Sequence, residues 1–260
     1  MTNKSSHIPK DLKNKLSIQL SLNGFSFCVF NSHNEITYKV IELSKVKFTE
    51  FELLKLVEQV FENHHELNTN FHEVEVIYQN ELFALVPKEI FQEEFKNNYL
   101  NYSVKTLATD SITHEEIGNS GIINVFIPYV NLNNFLIDKV GEFNFQHSSG
   151  ILINELLKKE TNNLGEKVHI AISHQYFELI VTKGDQLLLF NGFNYQSNED
   201  ILYYILFCME QLQLDPNHVQ IDLLNKIDTE LYNLIYTYVR NINQSYISAD
   251  ELIHRMLLNS

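Results

Sequence analysis

Arginine is almost missing from this chain. Arg240 and Arg255 are the only two among 19 basic residues, which face 33 acidic ones for a net charge of −14. A surface that neutralises phosphates needs clustered Lys and Arg, so this balance excludes an extended nucleic-acid footprint. An acidic membrane surface would also repel it. Cysteine is scarce: Cys28 and Cys208 are too few for a disulfide framework, and each sits inside an apolar run, as small buried side chains do in a reducing compartment. Long apolar runs are lacking. The longest, ILYYILFCM at 201–209, falls well short of the roughly 20 residues of a membrane-spanning helix. The opening MTNKSSHIPKDLKNK is polar and offers no signal peptide, so a cytoplasmic location without membrane insertion is expected. Glycine numbers only eight, and there is no Walker-type loop, no serine nucleophile elbow and no His-Glu-x-x-His motif.

What is present describes an ordinary globular protein, 44% hydrophobic and 20% charged, long enough at 260 residues for one large domain or two smaller ones. Leu16, Ile18, Leu20 and Leu22 alternate with polar residues, as do Phe25, Phe27 and Val29. Asn23-Gly24 between them is a type I′ hairpin signal. A third run, ITYKVIEL at 36–43, follows. Thr49, with Glu52 three residues on, forms a capping box before a helix whose Leu53, Leu54, Val57, Val60 and Phe61 should face the core. Val74, Val76 and Tyr78 then alternate as a strand.

The same order recurs from 168. Val168, Ile170 and Ile172 alternate, then Phe177, Leu179 and Val181, then QLLLF at 186–190. Ser197 and Asp200 form a second cap, and Ile201, Leu202, Ile205, Cys208 and Met209 each stand 148 positions after a counterpart in the first helix. Val219, Ile221 and Leu223 close the unit. A β-β-β-α-β order occurring twice points to a duplicated architecture. Between the repeats, Pro87 is expected to open a helix through Tyr99, IINVFIP at 122–128 reads as a buried strand, and YVNLNNFLIDKV as a helix. Phe143 and Phe145 mark a short strand, and Ser148 or Ser149 caps the helix ILINELLKKE. The turn TNNLGE, ending near Gly165, is taken as the boundary between an N-terminal lobe, 1–165, with inserted segments and a C-terminal lobe, 166–260.

Duplicated β-β-β-α-β units that open on a hairpin resemble the actin, Hsp70 and sugar-kinase superfamily, built on a ribonuclease-H-like core. More narrowly, LSIQLSLNGFSFCVF, LFALVPKEIF and HVQIDLLNKIDTELYNLIYTYV resemble the bacterial domain-of-unknown-function family numbered 3822, described as having an actin-like ATPase fold. The resemblance implies an α/β, two-lobed fold, each lobe a mixed sheet with helices. It also implies where ATP would lie: between two hairpin turns bearing Asp and Gly, near a third turn with a glycine pair. Backbone N–H groups approach phosphate only where no side chain obstructs them.

At the first turn this chain carries Gln19, Ser21, Leu22, Asn23 and Gly24, with no carboxylate. At the second it carries Ser173, His174, Gln175 and Tyr176, with neither carboxylate nor glycine; at the third, Leu224, Asn225 and Lys226. These read as the positions of lost phosphate turns. No catalytic residue, cofactor or metal is therefore expected. His64, His65 and His72 fall at the end of an amphipathic helix and its loop, and His169 and His174, five apart on a strand, would face opposite sides. Asp110, His114, Glu115 and Glu116 read as a solvated loop. The expected function is that of a non-catalytic cytoplasmic adaptor for an unidentified protein partner, with the tyrosines of IYTYV and YILFC as candidate contacts. The alternatives are a divergent ATPase or kinase of the superfamily and a ribonuclease-H-like nuclease, which would need three or four carboxylates converging on the central strands.

Overall fold

The computed structural model describes residues 14–44, 46–102, 104–106 and 111–258. The first repeat folds as β1 (Lys15–Ser21), β2 (Gly24–Phe30), β3 (Ile36–Leu43), α1 (Glu50–Asn63) and β4 (Glu73–Tyr78). An insertion follows: β5 (Phe83–Pro87), α2 (Lys96–Asn101), β6 (Thr113–Glu116) and β7 (Ile122–Phe126). Then come α3 (Val130–Val140), β8 (Asn144–His147) and α4 (Ser148–Glu160). The second repeat runs β9 (Glu166–Ser173), β10 (Tyr176–Lys183), β11 (Gln186–Asn194), α5 (Asn198–Gln211) and β12 (Gln220–Leu223), followed by α6 (Thr229–Tyr238), β13 (Asn241–Gln244) and α7 (Ala249–Leu257).

The duplication is explicit in the sheets. Their orders are β3-β2-β1-β4-β8 and β11-β10-β9-β12-β13, the same topology twice. In each, a three-stranded antiparallel meander is followed by a helical crossover that returns the chain parallel to the first strand. Leu16 pairs with Val74 and Ile18 with Val76; likewise Val168 pairs with Ile221 and Ile170 with Leu223. Thr49 and Ser197 both close full capping boxes, with Glu52 and Asp200 reaching back to the cap backbone.

Burial follows the two periods. Leu53, Val57, Val60 and Phe61 are buried on α1, and all five expected residues of α5, Ile201, Leu202, Ile205, Cys208 and Met209, are buried. Leu54 departs from expectation and is only half-buried. A residue next to the centre of the apolar stripe lies about 100° round the helix, at the stripe's margin.

Two local expectations are corrected. The helix from Pro87 does not form: Pro87 ends β5 opposite Ile122, two short 3-10 turns follow, and the helix begins only at Lys96. The Tyr99 hydroxyl donates to the Ile90 carbonyl at 2.8 Å and accepts from the Gln92 amide at 3.1 Å, which holds the segment in that form. The first hairpin is not a type I′ turn on Asn23-Gly24. Its two loop residues are Leu22 and Asn23, with Ser21 pairing Gly24, and only Gly24 takes a positive φ, 143°. A Cβ at Gly24 would collide with the Glu42 carbonyl oxygen of β3, so this glycine serves the close approach of its own sheet.

Contacts divide the chain into two compact units. One holds the described residues of Met1–Asn80 with Ile127–His147; the other holds Glu81–Phe126 with the described residues of Ser148–Ser260. The insertion thus belongs with the second repeat. Its small sheet has the order β5-β7-β6, and Ile117, just after β6, packs with Ile153 and Leu157 of α4, while Phe83 meets Phe190 of β11 edge to face. In that unit α5 and α6 bury Ile201, Ile205, Leu231 and Ile235 against Val168, Ile170, Leu179 and Ile221 on one sheet face. The opposite face of β9 carries His169, and that of β12 carries Asp222, both toward α4.

Candidate functional site

Most positions of the expected nucleotide turns are engaged by their own lobe. Gln19 on β1 donates its amide to Gln79 Oε1 at 2.6 Å. Ser21 Oγ donates to the Gly24 carbonyl at 3.0 Å and accepts from the Asn23 amide at 3.3 Å. The loop carbonyls are also taken, that of Leu22 by the Phe48 amide at 2.7 Å and that of Asn23 by the Ser44 amide at 2.8 Å.

The second hairpin has the same loop length, with Ser173 pairing Tyr176 across His174 and Gln175, so Tyr176 occupies the place of Gly24. Gln175 holds φ 59°, a left-handed conformation in which a non-glycine side chain is strained. Tyr195 lies against this turn: its amide donates to the Gln175 carbonyl at 3.1 Å and its hydroxyl to the Ser173 carbonyl at 2.8 Å.

At the third position Asn225, 2% exposed, turns inward. Its Oδ1 accepts from the Ile172 amide at 2.8 Å and its Nδ2 donates to the Ile172 carbonyl at 3.0 Å. The side chain prolongs the β9–β12 ladder by one rung after β12 has ended.

His64 ends α1 and hydrogen-bonds Tyr38, while His65 lies in the following 3-10 turn. His174 is in the second hairpin turn and His169 lies inside β9. His114, Glu115 and Glu116 are not in a loop but in β6, where Glu116 pairs with Lys88 at 2.6 Å and Glu115 accepts from Asn124 at 3.1 Å. Asp110 lies outside the described residues.

A polar cluster that the sequence did not point to lies under α4 in the second lobe. Glu160, His169 and Asp222 are all buried, and one ligand-capable atom from each lies within 4.8 Å of the other two. Among the described residues this is the one such group of three. Glu160 ends α4; His169 and Asp222 are directly opposed across the parallel pair β9–β12. Lys167 Nζ reaches Glu160 at 2.9 Å and Asp222 Oδ2 at 3.7 Å, and Lys159 Nζ stands 3.6 Å from the same oxygen. The signal available in sequence was a single polar residue within each of two apolar strands, VHI at 168–170 and IDL at 221–223. Nothing in the spacing could join them to Glu160. Burial lowers the His169 pKa to about 4, against the pull of Asp222 and Glu160, so the ring is neutral at pH 7. Asp222 also lines a cavity of about 500 Å³ with Glu155, Lys159, Asn243 and Arg255.

Farther along the sheet, Glu178 of β10 is 3% exposed, and burial raises its pKa to about 8. Its folded pKa exceeds the unfolded value of 4.5, so the folded state holds the extra proton across that interval. Stability contributed by this group is present below pH 4.5 and is lost as pH rises towards 8. The buried His147, lowered to about 3, and His169 act in the opposite sense, mainly below pH 6.5 and fading out by about pH 7.5. Between pH 6.5 and 8 unfolding free energy should therefore fall by about 1 kcal/mol, less than the full 1.36 kcal/mol per unit because Glu178 is half-ionised by pH 8 and the unfolded histidines are still half-protonated at pH 6.5. Glu178→Gln should flatten that decline in urea titrations; an unchanged slope would show that the carboxyl is already ionised at pH 6.5.

A family model described as "Protein of unknown function (DUF3822)" matches residues 3–242. No curated protein matches the chain. Among solved structures, a Bacteroides thetaiotaomicron protein described as having an actin-like ATPase fold and unknown function is 20% identical, with 96% of this chain and 97% of that one covered at a TM-score of 0.83. The PilM-PilN type IV pilus biogenesis complex contains a chain 11% identical, covered to 99% against 96% here, at a TM-score of 0.63. The ethanolamine utilization protein EutJ from Carboxydothermus hydrogenoformans is 7% identical, with 92% and 87% covered and a TM-score of 0.52. At these identities the likeness is one of fold, and it establishes the two-lobed actin-like architecture. Among the described residues no helix is long and apolar enough to cross a membrane.

Proposed function

The chain belongs to the family of proteins of unknown function (DUF3822), and from that premise we propose that it is a non-catalytic actin-like protein that works by binding another protein. The observation that carries the reading is the aromatic outer surface of two helices in the second lobe. On α5, Tyr203 and Phe207 are 61% and 44% exposed and stack at 6.0 Å. On α6, Tyr236 and Tyr238 are 47% and 51% exposed, with Tyr236 stacked on Tyr232. Aromatic side chains held outward at low entropic cost are typical anchors of protein interfaces.

The turn chemistry supports the other half of the reading. A magnesium-bound triphosphate requires open backbone N–H groups, a metal-positioning carboxylate and usually a cation. Gln19, Ser21 and Asn23 at the first turn and Tyr176 and Tyr195 at the second supply none of these. That a chain of this fold occurs in the PilM-PilN complex, an assembly of two proteins, agrees with partner binding.

The test is affinity capture from the source cells, with and without millimolar ATP and magnesium, alongside thermal unfolding in the same buffers. A stoichiometric partner should be recovered in both conditions and lost with the double variant Tyr203→Ser, Tyr236→Ser. ATP should leave the unfolding transition in place, whereas a site of ~10 μM affinity would add about 2.7 kcal/mol at a hundredfold excess. A clear shift with ATP, or phosphate release lost on replacing Asn23 or Gln175, would instead make the chain a divergent ATPase or kinase.

A further inference from the structure

We propose that Glu160, His169 and Asp222 form a binding site for a divalent transition-series cation, zinc or manganese, with the Lys167 ammonium occupying that place when no ion is bound. Three features of the buried cluster support it, beginning with an orphaned ligand atom. His169 is fully buried, and its Nε2 is engaged with Thr182 Oγ1 at 2.9 Å, which fixes the ring. Its Nδ1 has no hydrogen-bond partner and points at Asp222 Oδ2, 3.9 Å away. A ligating imidazole is typically held this way, one nitrogen anchored by a neighbour and the other presenting its lone pair.

The second feature is spacing. Around Asp222 Oδ2 stand Lys159 Nζ at 3.6 Å, Lys167 Nζ at 3.7 Å and His169 Nδ1 at 3.9 Å, all beyond hydrogen-bond range. The His169–Asp222 separation suits two ligands that share a central atom, while the two ammonium groups mark where positive charge is already drawn. Ligands bound at 2.0–2.2 Å lie about 3.4 Å apart in a tetrahedral site and up to about 4.4 Å apart when opposed. One ligand atom from each of Glu160, His169 and Asp222 lies within 4.8 Å of the other two, so an inward shift of less than about an ångström would enclose an ion.

The third feature is charge and access. Two carboxylates buried between the end of α4 and the sheet demand positive charge, and Lys167, whose side chain is 18% exposed, supplies it from a stem able to swing outward. Asp222 opens on the 500 Å³ cavity, which leaves room for water at the remaining coordination positions. One imidazole with two carboxylates is a nitrogen–oxygen set suited to zinc or manganese; the imidazole disfavours calcium and magnesium, and the lack of thiolate disfavours copper(I).

The full chain, stripped of metal by chelation, would be titrated calorimetrically with zinc and then manganese, with cobalt as a visible-absorption reporter of the ligand set. Wild type should bind one ion, and His169→Gln and Asp222→Asn should each weaken binding tenfold or more. Lys167→Met distinguishes a metal site from a purely structural ion pair and does not depend on the ligand variants folding. Removing the competing ammonium should lower the unfolding temperature without metal, restore it with zinc, and tighten zinc binding at least tenfold. The proposal is overturned if neither wild type nor Lys167→Met binds these ions at millimolar concentration. Binding that survives in His169→Gln overturns it equally, since exposed histidines elsewhere would then be holding the metal.

Discussion

Replacing Leu53 or Ile201 with alanine is expected to destabilise the protein by about 2–5 kcal/mol in each case, the range for a cavity left by a buried aliphatic side chain. The two residues stand 148 positions apart in sequence and occupy corresponding places on α1 and α5, the crossover helices of the two sheets. Both are 0% exposed. Ile201 packs in the cluster that includes Val168, Ile170 and Ile221; Leu53 shares the buried face of α1 with Val57, Val60 and Phe61, and Phe61 is itself wedged edge to face between Phe27 and Phe135. Interiors packed this densely relax only partly around a void, so the cavity cost adds to the lost transfer free energy. Leu54→Ala should cost clearly less, because Leu54 is already half in solvent. Urea unfolding would give the comparison. A loss at both buried positions no larger than the roughly 0.5 kcal/mol typical of surface substitutions would contradict the assigned packing.

Asn225→Ala is expected to produce a loss of similar size for a different reason. The side chain caps an unfinished ladder: β12 ends at Leu223, the Leu224 amide still reaches the Ile170 carbonyl, and the next rung of β9, both polar groups of Ile172, is met only by the Asn225 amide group. Truncation leaves a buried N–H and a buried C=O unpaired, at about 1–3 kcal/mol each. Asn225→Asp separates the two terms, since a carboxylate can still accept from the Ile172 amide but cannot donate to its carbonyl. The expected order of stability is wild type, then Asp, then Ala, with no change in behaviour towards ATP in any of them. If Asn225→Ala instead left stability intact and altered nucleotide binding, the third turn would have to be read as a ligand site.

The duplicated fold was legible in the sequence because it rests on local rules. Alternation of period two, apolar spacing of period 3.6 and a cap three residues before an acid are each written in fewer than fifteen consecutive residues. Repetition of the set then fixed the topology, since a crossover helix after an antiparallel meander returns the chain parallel to its first strand. The scarcity of arginine and glycine and the lack of a carboxylate in the two hairpin turns were equally readable, because composition and residue type at a turn belong to the sequence alone. The type I′ reading of Asn23-Gly24 went wrong where a local signal met a tertiary one: the proximity of the Glu42 carbonyl on β3 decides which residue must be glycine. Pro87 was misread in the same way, since its pairing with Ile122 sets it at a strand end.

Only the tertiary structure could decide the placement of the insertion and the existence of the buried cluster. Residues 81–126 lie between elements of the first repeat in the chain, yet their small sheet packs on α4 and β11 of the second unit, because that is where Ile117 and Phe83 find apolar partners. Glu160, His169 and Asp222 are separated by nine and 53 residues, one on a helix end and two on strands paired in parallel. Each taken alone is a polar residue beside an apolar run. Sequence by itself determined the strands and crossover helices of the two repeats, since backbone geometry and side-chain periodicity act over a few residues, but not those of the insertion. Which charges share a buried site was set by sheet register and helix docking, because electrostatic partnership depends on distances through space that no local spacing encodes.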